Sequence, residues 1–266
     1  MKGSNIMNLD AIFQEIKAGK KRLPGKTGFY YKNLVSGEAL SLDGSTPLIA
    51  ASVIKLPIMA EFFYQMAEGR IDGGSLVSIG AEDKLPSCGA LNYLHNGLTV
   101  TMLDLCTLMI ILSDNTATNL LIRKLGMEAI NRRMRDLGLA HSSLTRLLFD
   151  GEAQKRGLEN RVSAEDMGRF FSLLYEGKIV GRDPSDQMLA ILKNQRLNGK
   201  MPFFLHGVPM AHKTGEDDGI SHDVGIVYAE EPFIACFLSE ETYVPSFERW
   251  IQDTTFLLAN SSAQKK

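Results

Sequence analysis

The sequence contains few cysteines, and they are not arranged for metal binding or cross-linking. Cys88, Cys106 and Cys236 form an odd, scattered set without C-x-x-C spacing, so we expect neither a zinc ribbon nor a disulfide framework. The histidines also lack a metal-ligand spacing such as H-E-x-x-H. We therefore expect reduced, mostly buried thiols and an activity that needs no metal or other cofactor.

Long apolar runs and a strong net charge are also absent. No stretch approaches the roughly 18 apolar residues of a membrane span, and the N-terminal segment 1–10 has no apolar core of a secretory signal. We therefore expect a cytoplasmic protein, although an exported protein whose signal had been removed would give the same sequence. The net charge of -2 gives no electrostatic reason to expect nucleic acid or an anionic membrane as a partner.

What the sequence does contain is typical of a globular protein. Its 266 residues are 44% hydrophobic and 23% charged, which suits one large domain or two closely packed lobes. Apolar spacing predicts helices over 8–18, 52–66, 103–112, 117–124, 127–137, 164–175 and 247–258. Strand-like runs bounded by turn residues occupy 29–35, 38–42, 208–214, 224–229 and 233–238. The polar segment 145–162 has no clear period, and a segment of this kind is usually functional or mobile.

Ser52 and Lys55 lie three residues apart within the apolar run 51–59. On a helix this spacing puts both side chains on one face, so the amine can reach the hydroxyl. A serine hydroxyl becomes a good nucleophile when a base lies beside it, and burial or a neighbouring cation lowers the pKa of a lysine so that it can be that base. The pair alone is not specific, because Ser262 and Lys265 have the same spacing.

Two further motifs follow in a fixed order. Ser113-Asp114-Asn115 comes directly after the apolar helix predicted at 103–112, and Lys213-Thr214-Gly215 ends a strand-like run. Together with Ser52-Val53-Ile54-Lys55, this order is typical of class A β-lactamases and penicillin-binding proteins. A second Lys-Thr-Gly, at Lys26, precedes the serine and does not fit the order. The chain therefore resembles the class A β-lactamase family over nearly its whole length.

The resemblance implies an α/β (α+β) fold in one domain, 1–266. A five-stranded antiparallel sheet flanked by the terminal helices would form a sheet lobe from 1–50 and 200–266. Residues 51–199 would form an inserted, all-helical lobe. The site would lie in the cleft between the two lobes, where ligand pockets commonly form.

The resemblance also assigns chemical roles to the first two motifs. Ser52 would attack an amide-like carbonyl, and Lys55 would accept its proton directly or through water. Ser113 would relay a proton to the leaving nitrogen, and Asn115 would orient Lys55 and the substrate amide. For Ser113-Asp114-Asn115 the alternative is a plain helix cap, because all three residue types are favoured there.

The third motif would bind the substrate. Lys213 would supply positive charge that helps to keep Lys55 neutral and, with Thr214, would attract a substrate carboxylate. Gly215 completes the motif. The backbone N–H groups of Ser52 and Glu216 would hold the oxyanion.

One part of the family pattern is missing. Class A enzymes hydrolyse their acyl intermediate with a loop glutamate that is followed four residues later by an asparagine, and spacing from Ser113 puts this glutamate near Phe149. The acids present are Asp150, Glu152 and Glu159, and none has an asparagine four positions later. We take Glu152 as the candidate catalytic acid, with a solvated loop charge as the alternative for each of the three.

Two further details of the comparison concern structure. Asn160 is expected to anchor the base of the loop. The disulfide of the family is expected to be missing, because Cys106 stands at one partner position and Met59 at the other.

These observations favour a serine hydrolase of β-lactamase type that opens β-lactam amides through an acyl-Ser52 intermediate. If no acid brings water to Ser52, the acyl adduct would accumulate and deacylation would be slow. The alternatives are a peptidase or esterase of penicillin-binding type and a β-lactam-binding protein without turnover. The expected partner is a small β-lactam or peptide-like carboxylate substrate, with no nucleic acid and no membrane, and the expected state is a monomer.

Overall fold

A central antiparallel sheet organises the chain in the computed structural model, which describes residues 9–261. In chain order the helices are α1 (Leu9–Lys20), α2 (Lys55–Ala67), α3 (Met102–Ile111), α4 (Asn115–Leu125), α5 (Met127–Asp136), α6 (Gly151–Lys155), α7 (Ala164–Tyr175), α8 (Arg182–Lys193) and α9 (Val244–Ser261). The strands are β1 (Lys26–Asn33), β2 (Ala39–Leu42), β3 (Leu48–Ile49), β4 (Leu76–Ile79), β5 (Leu98–Thr101), β6 (Arg161–Val162), β7 (Met210–Asp217), β8 (Ile220–Val227) and β9 (Phe233–Glu240).

The main sheet has five strands in the order β2-β1-β9-β8-β7, and each neighbouring pair is antiparallel. Side chains alternate between its two faces, as the period of a strand requires. In β9, Phe233, Ala235 and Phe237 belong to the apolar cluster formed with α1 and α9. The intervening Ile234, Cys236 and Leu238 belong to the larger cluster on the other face, where α7 packs on the sheet.

The second half of the core is helical. Helix α2 contacts α3, α4, α5 and α8, and nearly every residue of its first three turns is buried. A helix that is apolar on all sides is stable only in such an environment, which explains why the run from Leu56 to Phe63 shows no clear polar face. Two short pairs, β3 with β6 and β4 with β5, complete the described strands.

The predicted fold class is confirmed, and the predicted helices and strands are found within a few residues of their expected bounds. Sequence patterns missed α8 and the hairpin of β4 and β5, which lies in a passage that reads as loop. Strand β8 also begins four residues earlier than predicted, at Ile220. Its first half carries Ser221, His222 and Asp223, which are fully buried although their polarity suggests a turn.

Two features at the ends of the chain fall on residues outside the described ones: most of segment 1–10, of which only 9 and 10 are described, and the serine-lysine spacing at Ser262 and Lys265. The division into a sheet lobe and a helical lobe stays a prediction. Within the described part of the chain, each helix is too short or too polar to cross a membrane. The three cysteines are unpaired, and Cys106 and Cys236 are buried.

His222 joins three parts of the fold. It lies fully buried on β8, and its Nε2 donates to the Ile49 carbonyl of β3 at 2.8 Å. Its Nδ1 accepts from the Ser239 N–H of β9 at 3.2 Å. An imidazole that donates with one nitrogen and accepts with the other is neutral, and burial lowers the pKa of His222 from 6.5 to about 4.

We predict that acid weakens the fold through His222. Between pH 6.5 and about 4 the unfolded chain binds a proton that the folded chain does not, so the free energy of unfolding decreases by about 3 kcal/mol as the pH falls through this window. His222→Gln, which retains a donor for Ile49, should lack this part of the pH dependence. Urea unfolding of both proteins at several pH values measures the difference, and identical pH profiles would contradict the prediction.

Candidate active site

Ser52 lies in a short 3-10 turn, Ala51–Ile54, that leads directly into α2. The turn begins at Ala51, whose φ of 41° is in the left-handed region and is strained for a residue with a Cβ. The buried side chains of Val53 and Ile54 hold this conformation in place. The serine therefore sits at the start of a rigid helix, with its side chain next to that of Lys55.

The Lys55 amine is the centre of the site. Its side chain is fully buried, and its Nζ lies 2.9 Å from Ser52 Oγ, 3.0 Å from Ser113 Oγ and 2.9 Å from Asn115 Oδ1. It also donates to the Ser113 carbonyl at 2.7 Å. The structure thus brings together the serine-lysine pair and the Ser113-Asp114-Asn115 motif, as the sequence predicted.

Burial, and after it the charge of Lys213, lower the pKa of Lys55 well below its ordinary value. A deprotonated lysine amine has a lone pair, and one of its neighbours at hydrogen-bond distance is the Ser52 hydroxyl. This is the protonation state that a general base needs. The pKa and the distance together make Lys55 able to take the proton of Ser52.

Ser113 lies between α3 and α4 with a φ of 55°. Its Oγ is 3.0 Å from Lys55 Nζ and also 3.0 Å from Lys213 Nζ, so one hydroxyl bridges two amines. The next residue, Asp114, is a helix cap, as the alternative interpretation of the motif expected. It accepts the Ala117 N–H at the start of α4. Asp114 also accepts the N–H groups of Ala90 and Leu91 and so fixes the segment that forms one rim of the site.

Lys213 reaches the site from β7. Its side chain is fully buried, and Nζ donates to the Thr214 carbonyl at 2.7 Å. Burial, and after it the charge of Lys200, lower the pKa of Lys213 to about 7. Near neutral pH this amine therefore changes charge readily.

Gly215 lets β7 pass close to the nucleophile. A Cβ at this position would lie 3.3 Å from the Ser52 nitrogen and 3.0 Å from His222 Cδ2, so a larger residue would push the strand away. The backbone of the third motif therefore lies next to the backbone of Ser52. The N–H groups of Ser52 and Glu216, the expected oxyanion donors, belong to these two segments.

A cavity of about 330 Å³ opens beside Ser52. Its lining includes Cys88 and Asn115 on one side, Leu148 and Phe149 from the loop 145–160, and Glu216 from β7. The loop therefore forms part of the wall of the cavity beside Ser52. Among the loop residues that line the cavity, Leu148 and Phe149 are the apolar ones.

Asn160 anchors the base of this loop, as predicted. Its Oδ1 accepts the N–H groups of Thr145 and Arg146 at 2.8 and 3.1 Å, and its Nδ2 donates to the Arg146 carbonyl at 3.1 Å. Arg146 also forms a two-pronged ion pair with Glu159, at 3.1 Å from Nε and 2.8 Å from Nη2. The two ends of the loop are therefore joined next to the cavity.

The structure does not bring Glu152 to the site. Its side chain is 76% exposed and pairs with Lys155 at 2.8 Å, on a short helix whose first turn is capped by Asp150 through the Ala153 N–H. The third acid, Glu159, is held by Arg146. All three candidate acids therefore have structural partners, and the exposed Glu152 agrees with the solvated alternative.

Leu148 is one of the loop residues that line the cavity, and its backbone is held by Asn119. Its N–H donates to Asn119 Oδ1 and its carbonyl accepts from Asn119 Nδ2, both at 2.9 Å. Asn119 is a buried residue of α4, the helix that begins at Asn115. The loop backbone at this point is therefore tied to the same helix that carries part of the site.

Sequence reasoning missed Lys200. Its Nζ forms an ion pair with Glu216 at 2.7 Å at the edge of the cavity. Lys200 belongs to no motif and precedes the third motif by a segment without regular structure, so no local pattern indicates it.

Comparisons with known proteins agree with this geometry. A model of the β-lactamase enzyme family matches residues 9–259. The β-lactamase OXY-2 of Klebsiella oxytoca is 26% identical over 237 residues, which are 86% of this chain and 80% of that protein. The chain spans about half the length of the first curated relatives that it matches. The match covers 43% of one relative and 48% of the next.

Solved structures give the same result. A β-lactamase of Sphaerobacter thermophilus is 27% identical, with a TM-score of 0.88 over 98% of this chain and 100% of that one. The protein PBP-A is 27% identical, with a TM-score of 0.87 over 97% and 98% of the two chains, and a PBP-A mutant was solved as an acyl-enzyme complex with penicillin G. Because the family model covers almost all of the described residues, and the three motifs meet as the resemblance to class A enzymes predicted, the chain belongs to the β-lactamase enzyme family.

Proposed function

We propose that this protein is a serine hydrolase that opens β-lactam amides through an acyl intermediate on Ser52. The observation that carries the proposal is the buried Lys55 amine, which lies 2.9 Å from Ser52 Oγ and whose pKa is lowered well below its ordinary value by burial. A nucleophile with a base in this position is the arrangement that acyl transfer needs. No step of the proposal needs a metal or another cofactor.

The proton path follows from the distances. Ser52 Oγ forms a bond to the carbonyl carbon and gives its proton to Lys55. Ser113 Oγ, which lies 3.0 Å from both amines, then donates a proton to the leaving nitrogen as the C–N bond breaks, and it regains one from Lys55. The result is an acyl ester on Ser52 that still carries the protonated amine nitrogen of the opened ring, with Lys55 again neutral.

Binding and charge stabilisation are assigned to β7 and to α4. The backbone N–H groups of Ser52 and Glu216 would hold the oxyanion, which is usually a large contribution to such reactions. Lys213 and Thr214 would bind the substrate carboxylate, and Asn115 would hold the substrate amide. Gly215 supports this assignment, because its missing side chain lets the strand lie next to the Ser52 nitrogen.

The second half of the reaction, hydrolysis of the acyl ester, is proposed to be slow. Hydrolysis needs a base that activates water next to the ester. The loop acids have other partners, and the loop presents Leu148 to the cavity. The same observation favours the second candidate function, a peptidase or esterase of penicillin-binding type or a binding protein without turnover, in which an adduct with a β-lactam persists.

Intact mass and steady-state turnover of a chromogenic cephalosporin separate these functions. Repeated turnovers that are lost in Ser52→Ala would support a β-lactamase. A stable adduct of one acyl group per chain would favour the penicillin-binding type. If no adduct forms and no β-lactam is turned over, the proposed function is wrong.

We predict that Lys55→Met slows acylation of Ser52 by about 10²- to 10⁴-fold, because it removes the general base. Methionine is apolar and nearly as long as lysine, so the buried site should stay packed. Acylation rates come from the time course of adduct mass, and thermal unfolding of the variant checks that the fold is retained. A variant that folds normally and acylates at the wild-type rate would exclude Lys55 as the base.

We predict that Leu148→Glu accelerates deacylation by about 10²-fold or more, because it places a carboxylate in the cavity on backbone that Asn119 holds fixed. The measurement is the decay of the acyl adduct after excess β-lactam is removed. Glu152→Gln is the matched control and should leave the decay rate unchanged. A slower decay in Glu152→Gln would instead show that the exposed acid takes part in hydrolysis.

We predict that acylation by a β-lactam that carries a carboxylate becomes slower as the pH rises through about 7, the pKa of Lys213. Above this pH Lys213 loses the charge that attracts the carboxylate, and a decrease of about tenfold is expected for one charge-assisted hydrogen bond. Lys213→Arg keeps its charge at high pH and should lack this decrease. The test compares the pH profiles of the acylation rate of the two proteins, and superimposable profiles would count against the role of Lys213.

A further inference from the structure

A second ammonium group besides Lys213 lies buried behind the wall of the cavity, and Glu216, which lines the cavity, covers it. Lys200 Nζ lies 2.7 Å from Glu216 Oε1. The lysine side chain is only 4% exposed, whereas that of Glu216 is 58% exposed. Glu216 therefore closes over a buried cation from the solvent side.

Other contacts of Lys200 are weaker or uncharged. Its Nζ donates to the His222 carbonyl at 3.3 Å, and Glu248 Oε1 lies at 4.0 Å. That carboxylate also accepts the Ser221 hydroxyl at 2.9 Å. Glu216 thus provides the short, charged contact that Lys200 makes at the cavity.

The Glu216 carboxylate also responds to Lys213. Burial raises the pKa of Glu216, but the charge and hydrogen bond of Lys200 and the charge of Lys213 outweigh this effect and lower it. The carboxylate therefore lies where the fields of two ammonium groups overlap. Such a position close to the nucleophile is where an anionic group of a substrate would be attracted most strongly.

We propose that Glu216 is a specificity-determining residue whose carboxylate occupies the anion position of the cavity, so that it selects against substrates with a carboxylate next to the scissile amide. The inference rests on the proposed acylation of Ser52. A substrate carboxylate held by Lys213 and Thr214 would compete with Glu216 for the attraction of Lys200 and Lys213, and it would lie near the negative charge of Glu216. A neutral substrate meets neither obstacle.

Other charges at the cavity do not have this arrangement. Arg146 and Glu159 neutralise each other within the loop. Asp217 lines the cavity next to Glu216, and the hydrogen bond that its side chain makes is with the Asp218 N–H. Asp217 therefore provides a matched control, because its substitution removes the same charge from the same strand without freeing an ammonium group.

The experiment compares benzylpenicillin, which carries a carboxylate, with its neutral methyl ester. Acylation rates of Ser52 are measured by intact mass for the wild type and Glu216→Gln, and the ratio of the rate with the acid to that with the ester is calculated for each. Glu216→Gln should raise this ratio about tenfold, the effect of one charge-assisted hydrogen bond. An unchanged or lower ratio would overturn the inference.

Two variants test whether the effect depends on Lys200. Asp217→Asn should change the ratio by less than about twofold, because the hydrogen bond of its exposed carboxylate is with the Asp218 N–H and not with an ammonium group. Lys200→Met combined with Glu216→Gln should lose the gain seen in Glu216→Gln alone. If Asp217→Asn raises the ratio as much as Glu216→Gln, the effect is a general one of charge and the inference is wrong.

A failure of the proposed function gives a different result. If neither penicillin acylates the wild type, the proposed acylation of Ser52 is refuted, and the anion position is then tested without chemistry. Phenylacetate is titrated into Ser52→Ala with and without Glu216→Gln, and binding is followed through the NMR signals of the lysine side chains. Glu216→Gln should lower the Kd about tenfold, and equal Kd values would overturn the inference.

Discussion

Burial of the Lys55 amine is the constraint on which the rest of the site depends. A charged lysine without water is unfavourable unless it is fully paired, and the usual outcome is loss of its proton. Here the amine is surrounded by hydroxyl, amide and carbonyl oxygens of Ser52, Ser113 and Asn115. The start of α2, the junction of α3 and α4, and β7 all have to meet at this point. The apolar core around α2 keeps water away and thereby maintains the low pKa of the lysine.

The acids near the site are mostly used by the structure itself. One caps a short helix, one holds the base of the loop through Arg146, and one covers Lys200. A carboxylate that accepts hydrogen bonds from fixed donors is a poor base, because its charged form is stabilised. In the proposed mechanism, the distribution of partners, rather than the number of acids, therefore sets the balance between forming the acyl ester and hydrolysing it.

Much of the fold, and of the candidate site around Ser52, could be predicted from the sequence. Ser52 and Lys55 are separated by one helical turn, so local geometry alone brings them together, and motif order added Ser113 and Lys213. The interaction of Lys200 with Glu216 could not be predicted, because it joins an irregular segment to a strand and no spacing rule describes it. The early start of β8 was missed for a related reason: Ser221, His222 and Asp223 are polar, and their partners are supplied by distant parts of the chain. Glu152 was chosen by its position along the chain, whereas Leu148 faces the cavity because Asn119 holds its backbone.

The three hydrogen bonds accepted by Asp114 have a consequence for how the site can change. One carboxylate oxygen accepts the Ala117 N–H in the first turn of α4. The other accepts two successive N–H groups, those of Ala90 and Leu91. The rim segment that carries Cys88 and the turn that carries Ser113 are therefore parts of one rigid unit. A substitution that reshapes the entrance to the cavity at this rim will also move the hydroxyl between the two amines. On this side of the cavity, the shape of the entrance and the position of the Ser113 hydroxyl, the proposed proton donor, therefore depend on the same carboxylate.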